Sequence, residues 1–491
     1  MAVDEDQNRT HTPNDEATAL LPKTQPTPLP KAQLSILFLV QLSEPVTATV
    51  IYPFIAQIVR DTGITHGDET ATGYFAGLIE SAFFAAECAT VFLWSMASDR
   101  FGRRPILLFG PFGLALAMIG FGLSRTFWPL VFFRFMQGCF NGNMGVSKSV
   151  MAELSDASNM AEIFGLIPLI WSLGATLGPT VGGIFANPAE RWPNSLGRIT
   201  LLQNYPYLLP CLVAGGVAFL SFLVALTGLK EVSNSSYLLF QTLITPRQTH
   251  PSFRADRDSH SSTPSPPREA IQRPPIRSLM TRQVLLPISS FALLVFTETS
   301  YSVLTPLVYS ASIAHGGLGF PPIQIGLLMG VWGLYNILWQ ATAVSRLIKI
   351  FGPRAVHVFG YSCHLVGFGF FIVMNVVARA YGEVNSVVWV LIVVQFLFCN
   401  SMIYMSFATG HMFIADSAPD KAALSMTNAL GQAAGSVSRI VGPIFANSLF
   451  SLSTKYNLLN GYLVFVILLV ITLGGIRCSL MLPRQLRRRE D

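Results

Sequence analysis

The feature that most limits how this chain can fold is its succession of long apolar runs. They lie at about 33–57, 73–97, 106–124, 128–152, 162–187 and 206–229, and, after a polar interval, at about 283–313, 321–348, 354–377, 386–415, 421–450 and 455–480. A membrane span needs about 20 mostly apolar residues. Only helices and closed barrels satisfy their backbone polar groups in lipid, and runs this long without two-residue alternation are helices rather than barrel strands. Composition agrees: 51% of residues are hydrophobic and only 12% charged, where soluble proteins carry about 25% charged residues. The expected fold is an all-α integral membrane protein with twelve transmembrane helices in two pseudo-symmetric six-helix bundles.

The polar stretches divide the chain. Residues 1–32 are polar and proline-rich and are expected to be a disordered cytoplasmic tail. Residues 33–230 form the first bundle, 231–282 a Ser-, Pro- and Arg-rich cytoplasmic linker (SSTPSPPREAIQRPP at its centre), 283–482 the second bundle and 483–491 a basic tail. Lys and Arg set the orientation. Arg100, Arg103, Arg104, the linker cations, Arg346, Lys349, Arg354, Arg484 and Arg487 to Arg489 all fall on one side. The other side holds only the scattered Arg60, Arg125, Arg191, Arg198, Arg379 and Lys455. The positive-inside rule then places both termini in the cytoplasm. The six cysteines lie inside apolar runs without paired spacing, as buried free thiols would.

A faint repeat relates the halves. FGRR at 101–104 corresponds to FGPR at 351–354, GPTVGG at 178–183 to GPIFAN at 442–447, and Glu44 to Glu298. Such duplicated bundles place a site between them, near the middle of the membrane.

Charges inside the runs are the sharpest signal, because an ion at mid-bilayer costs several kcal/mol or more. The expected set is Glu44, Glu80, Glu87, Arg134 and Glu298. Glu80 and Glu87 are seven residues apart and share a helix face. A carboxylic acid in such a place can take up a proton and release it when its cavity opens or a cationic substrate enters. The structural alternative is an ion pair that holds helices together. His364 and His411 read as satisfied buried histidines, whereas Asn141, Asn143, Gln395 and Asn400 suit either substrate or a neighbouring helix. Gly174, Gly178 and Gly182 line one face of a helix and allow close approach of another, and Pro179 removes a backbone hydrogen bond beside them. There is no phosphate-binding G-x-x-x-x-G-K-S/T, no H-E-x-x-H and no Cys/His cluster. No enzyme, cofactor or metal is expected.

Three segments carry a family resemblance. Ser95, Asp99, Arg100, Gly102, Arg103 and Arg104 resemble the G-x-x-x-D-R-x-G-R-R/K loop between the second and third helices of the major facilitator superfamily, with Ser95 replacing the first glycine. Leu130, Arg134, Gln137 and Gly138 match its fourth-helix L-x-x-x-R-x-x-Q-G pattern. Gly165, Gly174, Gly178, Pro179, Gly182 and Gly183 match the fifth-helix antiporter pattern. With the layout of the runs, the resemblance covers residues 33–482 and is greatest to the twelve-helix drug:H+ antiporters, near fungal relatives of the zinc-induced-facilitator-like proteins.

That resemblance implies alternating access, with Glu44 and Glu298 on cavity-lining helices and Arg134 tuning a neighbouring carboxylate. It also implies that the glycine face seals the two halves together, and that Asp99 latches onto the start of the eleventh helix near 420–423. The function expected is proton-coupled export of small organic molecules by one chain in a lipid bilayer. The alternatives are a symporter or uniporter for uptake, a vacuolar transporter of organic or metal-chelate substrates, and a non-transporting nutrient sensor. Glu16, Leu20 and Leu21 fit an acidic dileucine signal for clathrin-type adaptors. The plasma membrane is the expected location and the vacuolar membrane the alternative.

Overall fold

The structure, a computed structural model, describes residues 30–154, 160–230, 280–419 and 423–484. The dileucine residues Glu16, Leu20 and Leu21, most of the linker and Arg487 to Arg489 lie outside them. Among the described residues the chain is built from helices and turns. The first half comprises α1 (Lys31–Thr49), α2 (Ile55–Asp61), α3 (Thr72–Phe101), α4 (Arg103–Gly122), α5 (Phe127–Asn141), α6 (Met144–Glu153), α7 (Met160–Phe185) and α8 (Leu208–Gly228). The second comprises α9 (Arg282–Ser310), α10 (Pro322–Thr342), α11 (Val344–Phe351), α12 (Pro353–Tyr381), α13 (Ser386–Val394), α14 (Ser401–Ser417), α15 (Leu424–Lys455) and α16 (Leu463–Leu480). A π-helical turn, Gln395–Asn400, joins α13 to α14.

Nine described helices, some formed from more than one of these elements, are long and apolar enough to cross a membrane by length and composition. The sequence-derived runs at 33–57, 128–152 and 421–450 are not among them, for two physical reasons. The first two are broken: α1 gives way to turns at 50–54, around Pro53, and α5 stops at Gly142 and Asn143 before α6 begins. The third is continuous, but α15 is rich in Ser, Asn, Gln and Gly and carries Arg439.

The halves are stapled alike. Gly102, between α3 and α4, has φ 96°, and Gly352, between α11 and α12, has φ 80°, a region that side-chain-bearing residues rarely enter. Just after each glycine an arginine reaches the last helix of its own half. Arg104 Nη2 donates to the carbonyl of Leu226 (2.7 Å), and Arg354 donates to that of Leu480. Each meets carbonyls left unpaired near a helix C-terminus.

Two seams join the halves. In the first, α7 lies on α10 through small residues: a Cβ on Gly183 would come within 2.6 Å of the Pro322 carbonyl, while Thr180 and Thr176 fill the space beside Gly330 and Gly333. In the second, α3 lies on α15, where Gly77 meets Pro443, Gly73 meets Asn447, and Ser81 Oγ donates to the Ile440 carbonyl (2.8 Å). At one end polar side chains add a clamp. Arg60 donates to Ser310 Oγ (3.0 Å), and Glu69 accepts from the Ser312 N–H (2.9 Å) and hydroxyl (3.0 Å) and lies 3.1 Å from His315 Nδ1. Lys455 pairs with Asp68 at 3.2 Å.

The expected role of the glycine face is corrected here. Gly174, Gly178 and Gly182 pack against Pro45, Thr49 and Val50 of the α1 segment, inside their own half, where a Cβ on Gly182 would sit 1.9 Å from the Val50 carbonyl oxygen. The seam between halves uses the neighbouring stripe of α7, Thr176, Thr180 and Gly183. A face of small residues announces close approach but does not say which helix approaches.

Candidate functional site

The buried charges of the first half form two clusters. In one, Arg134 of α5 is 1% exposed and Glu80 of α3 is 2% exposed. Arg134 Nη2 donates to Glu80 (3.2 Å) and to the Ala48 carbonyl (2.8 Å), and Nη1 donates to Gln137 Oε1 (2.8 Å) and the Thr47 carbonyl (3.5 Å). The guanidinium also lies over the Phe83 ring, 4.5 Å from its centroid. Breaking a buried ion pair by removing one partner is strongly destabilising, and this arginine ties α1, α3 and α5 together, although its Nε and Glu80 Oε1 have no hydrogen-bond partner among the described residues. The geometry of Glu80 and Arg134 is that of the structural ion pair.

In the second cluster Glu44, on α1 directly before Pro45, accepts from Asn141 Nδ2 at 2.9 Å. Glu87, on α3, is close enough for its charge and that of Glu44 to act on each other, and Asn141 reaches both. Asn141 is thereby assigned to neighbouring helices: it links α5 to α1 and α3. The two turns of helix between Glu80 and Glu87 thus separate a locked carboxylate from one facing the middle of the molecule.

In the second half Glu298 of α9 borders a cavity with Tyr301, Met329, Trp332, Asn400 and Tyr404. The Tyr404 hydroxyl lies 3.4 Å from Glu298 Oε1. Trp332 and Tyr404 also line an adjoining cavity that reaches Ser172 and Thr176 of α7 in the other half. The π-helical turn contributes to this wall: Asn400 accepts from the Tyr301 hydroxyl and Gln395 from that of Tyr309, both at 2.7 Å. π-turns recur at functional positions because they re-aim side chains within a helix. Asn143 packs against Gly110, and Trp171 is 40% exposed.

Two cations absent from the expected set also act here. Arg439, in the middle of α15, lies near enough to Glu44, Glu87 and Glu298 for its charge to act on all three, and Lys148 of α6 acts on Glu44 and Glu87. Both fall inside apolar runs, so the test that found Arg134 would have found them. The second half also buries histidines. His364 Nδ1 lies 3.1 Å from the Tyr361 carbonyl oxygen, whereas its Nε2 has no hydrogen-bond partner among the described residues. His357, overlooked in the sequence, meets Ser406, Thr409 and Ser290; His411, expected to be buried, is instead exposed, its ring tilted against that of Phe291 with centroids 4.7 Å apart.

The loop residues read as a latch make these contacts. Asp99 is paired at 3.0 Å with Arg103, one turn on, and Arg103 also pairs with Glu153 of α6 at 2.9 Å. Both contacts stay within the first half, and the Asp99 side chain is 66% exposed. Of the expected latch partner near 420–423, residues 420–422 lie outside the described residues. Ser95 and Arg100 are exposed, and Gly165 lies in α7.

The geometry is that of a two-bundle carrier with acids from both halves facing a central space, and relatives agree. The family described as the Major Facilitator Superfamily matches residues 37–443. The chain is 32% identical to the "Major facilitator-type transporter psiT2" of Psilocybe cyanescens, over 96% of this chain and 93% of that one. It is 25% identical to the "Major facilitator superfamily multidrug transporter mfsB" of Aspergillus fumigatus, over 86% and 79%. Among solved structures, a D-xylose-proton symporter superposes with a TM-score of 0.65 at 14% identity, covering 92% of this chain and 98% of that one, a likeness of fold alone. The protein is a multi-pass membrane transporter, not an enzyme, and it belongs to the Major Facilitator Superfamily.

Proposed function

We propose that this chain exports small organic molecules in exchange for protons by alternating access. One observation carries the reading. Glu44 and Glu87 from one half and Glu298 from the other occupy the central region where the halves meet, while the remaining acid, Glu80, is tied up by Arg134. Acids that serve only to fasten helices are paired as Glu80 is. Acids that load and unload protons must face a space whose access changes. The fifth-helix resemblance of Gly165, Gly174, Gly178, Pro179, Gly182 and Gly183 favours exchange over co-transport, and the multidrug relative favours organic cargo.

In this reading twelve helices span the membrane with both termini cytoplasmic, residues 33–230 and 283–482 rock against each other, and the Arg60–Glu69–Lys455 end faces outward. Proton entry from that side discharges Glu298 or the Glu44–Glu87 pair, cargo leaves, and the halves re-close. The gradient is the energy source and no cofactor takes part. One chain is the working unit, its tail signal at Glu16, Leu20 and Leu21 offered to sorting adaptors. The plasma membrane is the proposed location, with the vacuolar membrane as the alternative.

The test is transport in proteoliposomes under an imposed pH gradient. Glu298→Gln is expected to lose gradient-driven flux by at least tenfold. Undiminished gradient-driven flux in Glu298→Gln, Glu44→Gln and Glu87→Gln alike overturns the proton route. Flux running with the protons instead of against them replaces export by uptake.

A further inference from the structure

Arg439 is the least provided-for charge in the central region. It sits near the midpoint of a 32-residue helix, at a depth where a bare guanidinium costs several kcal/mol. The faces of α15 fix where it points. Gly435, Ser438 and Gly442 contact α9, whereas Ile440, Pro443 and Asn447 contact α3. At 100° per residue Arg439 falls on the stripe between those faces, in line with the buried Ala446 and Phe450. It therefore looks inward, towards the boundary between the halves. Yet no carboxylate lies within 4 Å of it among the described residues, although Glu44, Glu87 and Glu298 all feel its charge. Arg134 shows what this fold does with an arginine meant to stay put: two backbone carbonyls, one amide and one carboxylate surround it.

The neighbouring cavity supplies the opposite charge. Glu298 stands among Tyr301, Trp332 and Tyr404, a carboxylate beside three aromatic rings, and that combination suits an organic ammonium. A guanidinium with its fork unoccupied suits an oxyanion, which it grips through two parallel hydrogen bonds. The two groups lie too far apart to neutralise each other by contact and close enough for their fields to overlap. A molecule with both charges on one short frame satisfies both at once.

We propose that the cargo is an aromatic zwitterion, its ammonium held by Glu298 within the aromatic wall and its oxyanion held by Arg439. This inference rests on the transport reading above and names the class of molecule carried. Arg439 is then the residue that separates zwitterions from simple amines.

The experiment uses the purified full chain in detergent and two probes differing only in a carboxylate, L-phenylalanine and 2-phenylethylamine, with binding read from ligand-dependent thermal shift. The native protein is expected to bind phenylalanine at least tenfold more tightly. Arg439→Gln is expected to invert that order, Arg439→Lys to retain it in weakened form, and Glu298→Gln to lose both ligands. Should Arg439→Gln fail to fold, Arg439→Lys carries the test through the narrowed ratio. No preference for phenylalanine in the native protein overturns the proposal, as does an equal loss of both ligands in the Arg439 variants. The same probes in proteoliposomes separate the two readings. Phenylalanine that binds but is not driven by a pH gradient leaves the site standing and removes proton coupling. Gradient-driven flux of phenylethylamine alone leaves coupling standing and removes the zwitterion.

Discussion

The two halves share a chain path and differ in how they treat charge. In the first half Arg134 meets Glu80 and Gln137, and Glu44 meets Asn141. The second half lines its interior with aromatic rings and histidines, and among the described residues leaves Glu298 with one long contact from Tyr404 and Arg439 with no ion pair. A fully paired charge costs energy to disturb, so it fixes a shape. A charge left half-satisfied costs energy until something arrives, so it selects a visitor. The difference assigns fastening mainly to one half and selection mainly to the other.

The strongest attack on this contrast is Arg134→Ala. It strands Glu80 without a counter-ion inside the bundle and should destabilise the protein by about 3–5 kcal/mol, seen as a large fall in melting temperature or loss of folded material. Pairing it with Glu80→Gln should recover part of that loss. If Arg439→Gln cost as much as Arg134→Ala, the contrast between fastened and free arginines would be gone. Gly182→Ala comes next, because its Cβ would meet the Val50 carbonyl oxygen at 1.9 Å. Thermal stability should fall by about 1–3 kcal/mol, with the separation of the halves unaltered. Gly183→Ala, one residue away, meets the other half instead and should shift labelling of cysteines placed in the cavity more than it shifts stability.

A smaller effect is expected at the clamp. Glu69→Gln removes the charge from bonds to Ser312 and His315, each charge-assisted bond being worth about 1.5–3 kcal/mol at most, and should raise labelling at position 310 or 312. The Thr70 hydroxyl and then Lys455 hold the Asp68 carboxyl below its ordinary range, so its share of the clamp is present at neutral pH and fades only under strong acid. Asp99→Asn should do least. Its partner Arg103 keeps Glu153, and exposed pairs contribute about 0–1 kcal/mol; a large change in cavity labelling would instead favour the latch.

Much of this was legible in the sequence, because lipid imposes a length and a polarity on whatever crosses it. Run boundaries, the paired FGRR and FGPR turns, and the identity of Glu44, Glu87 and Glu298 as inward acids all follow from that constraint. What escaped was partnership. Nothing in the spacing of Gly174, Gly178 and Gly182 says that α1, and not the other half, fits against them. Asn141 was visible as polar, yet which carboxylate it holds depends on the angle at which α5 crosses α1. Arg439 was legible by the same rule as Arg134, a charge inside an apolar run, although Ser, Gly and Gln dilute the background around it. Its helix for the same reason falls short of the hydropathy of a lipid-facing span.

The turns at Gly102 and Gly352 have a mechanical consequence. Because Arg104 and Arg354 each grip the final helix of their own bundle, those bonds keep their length whichever way the bundles tilt. Arg60, Glu69 and Lys455 bridge from one bundle to the other, so theirs must stretch. The molecule resembles a hinged clip whose two jaws are each braced internally and which has a catch at one end. Work done on the catch is felt as rotation of whole jaws, not as bending within them.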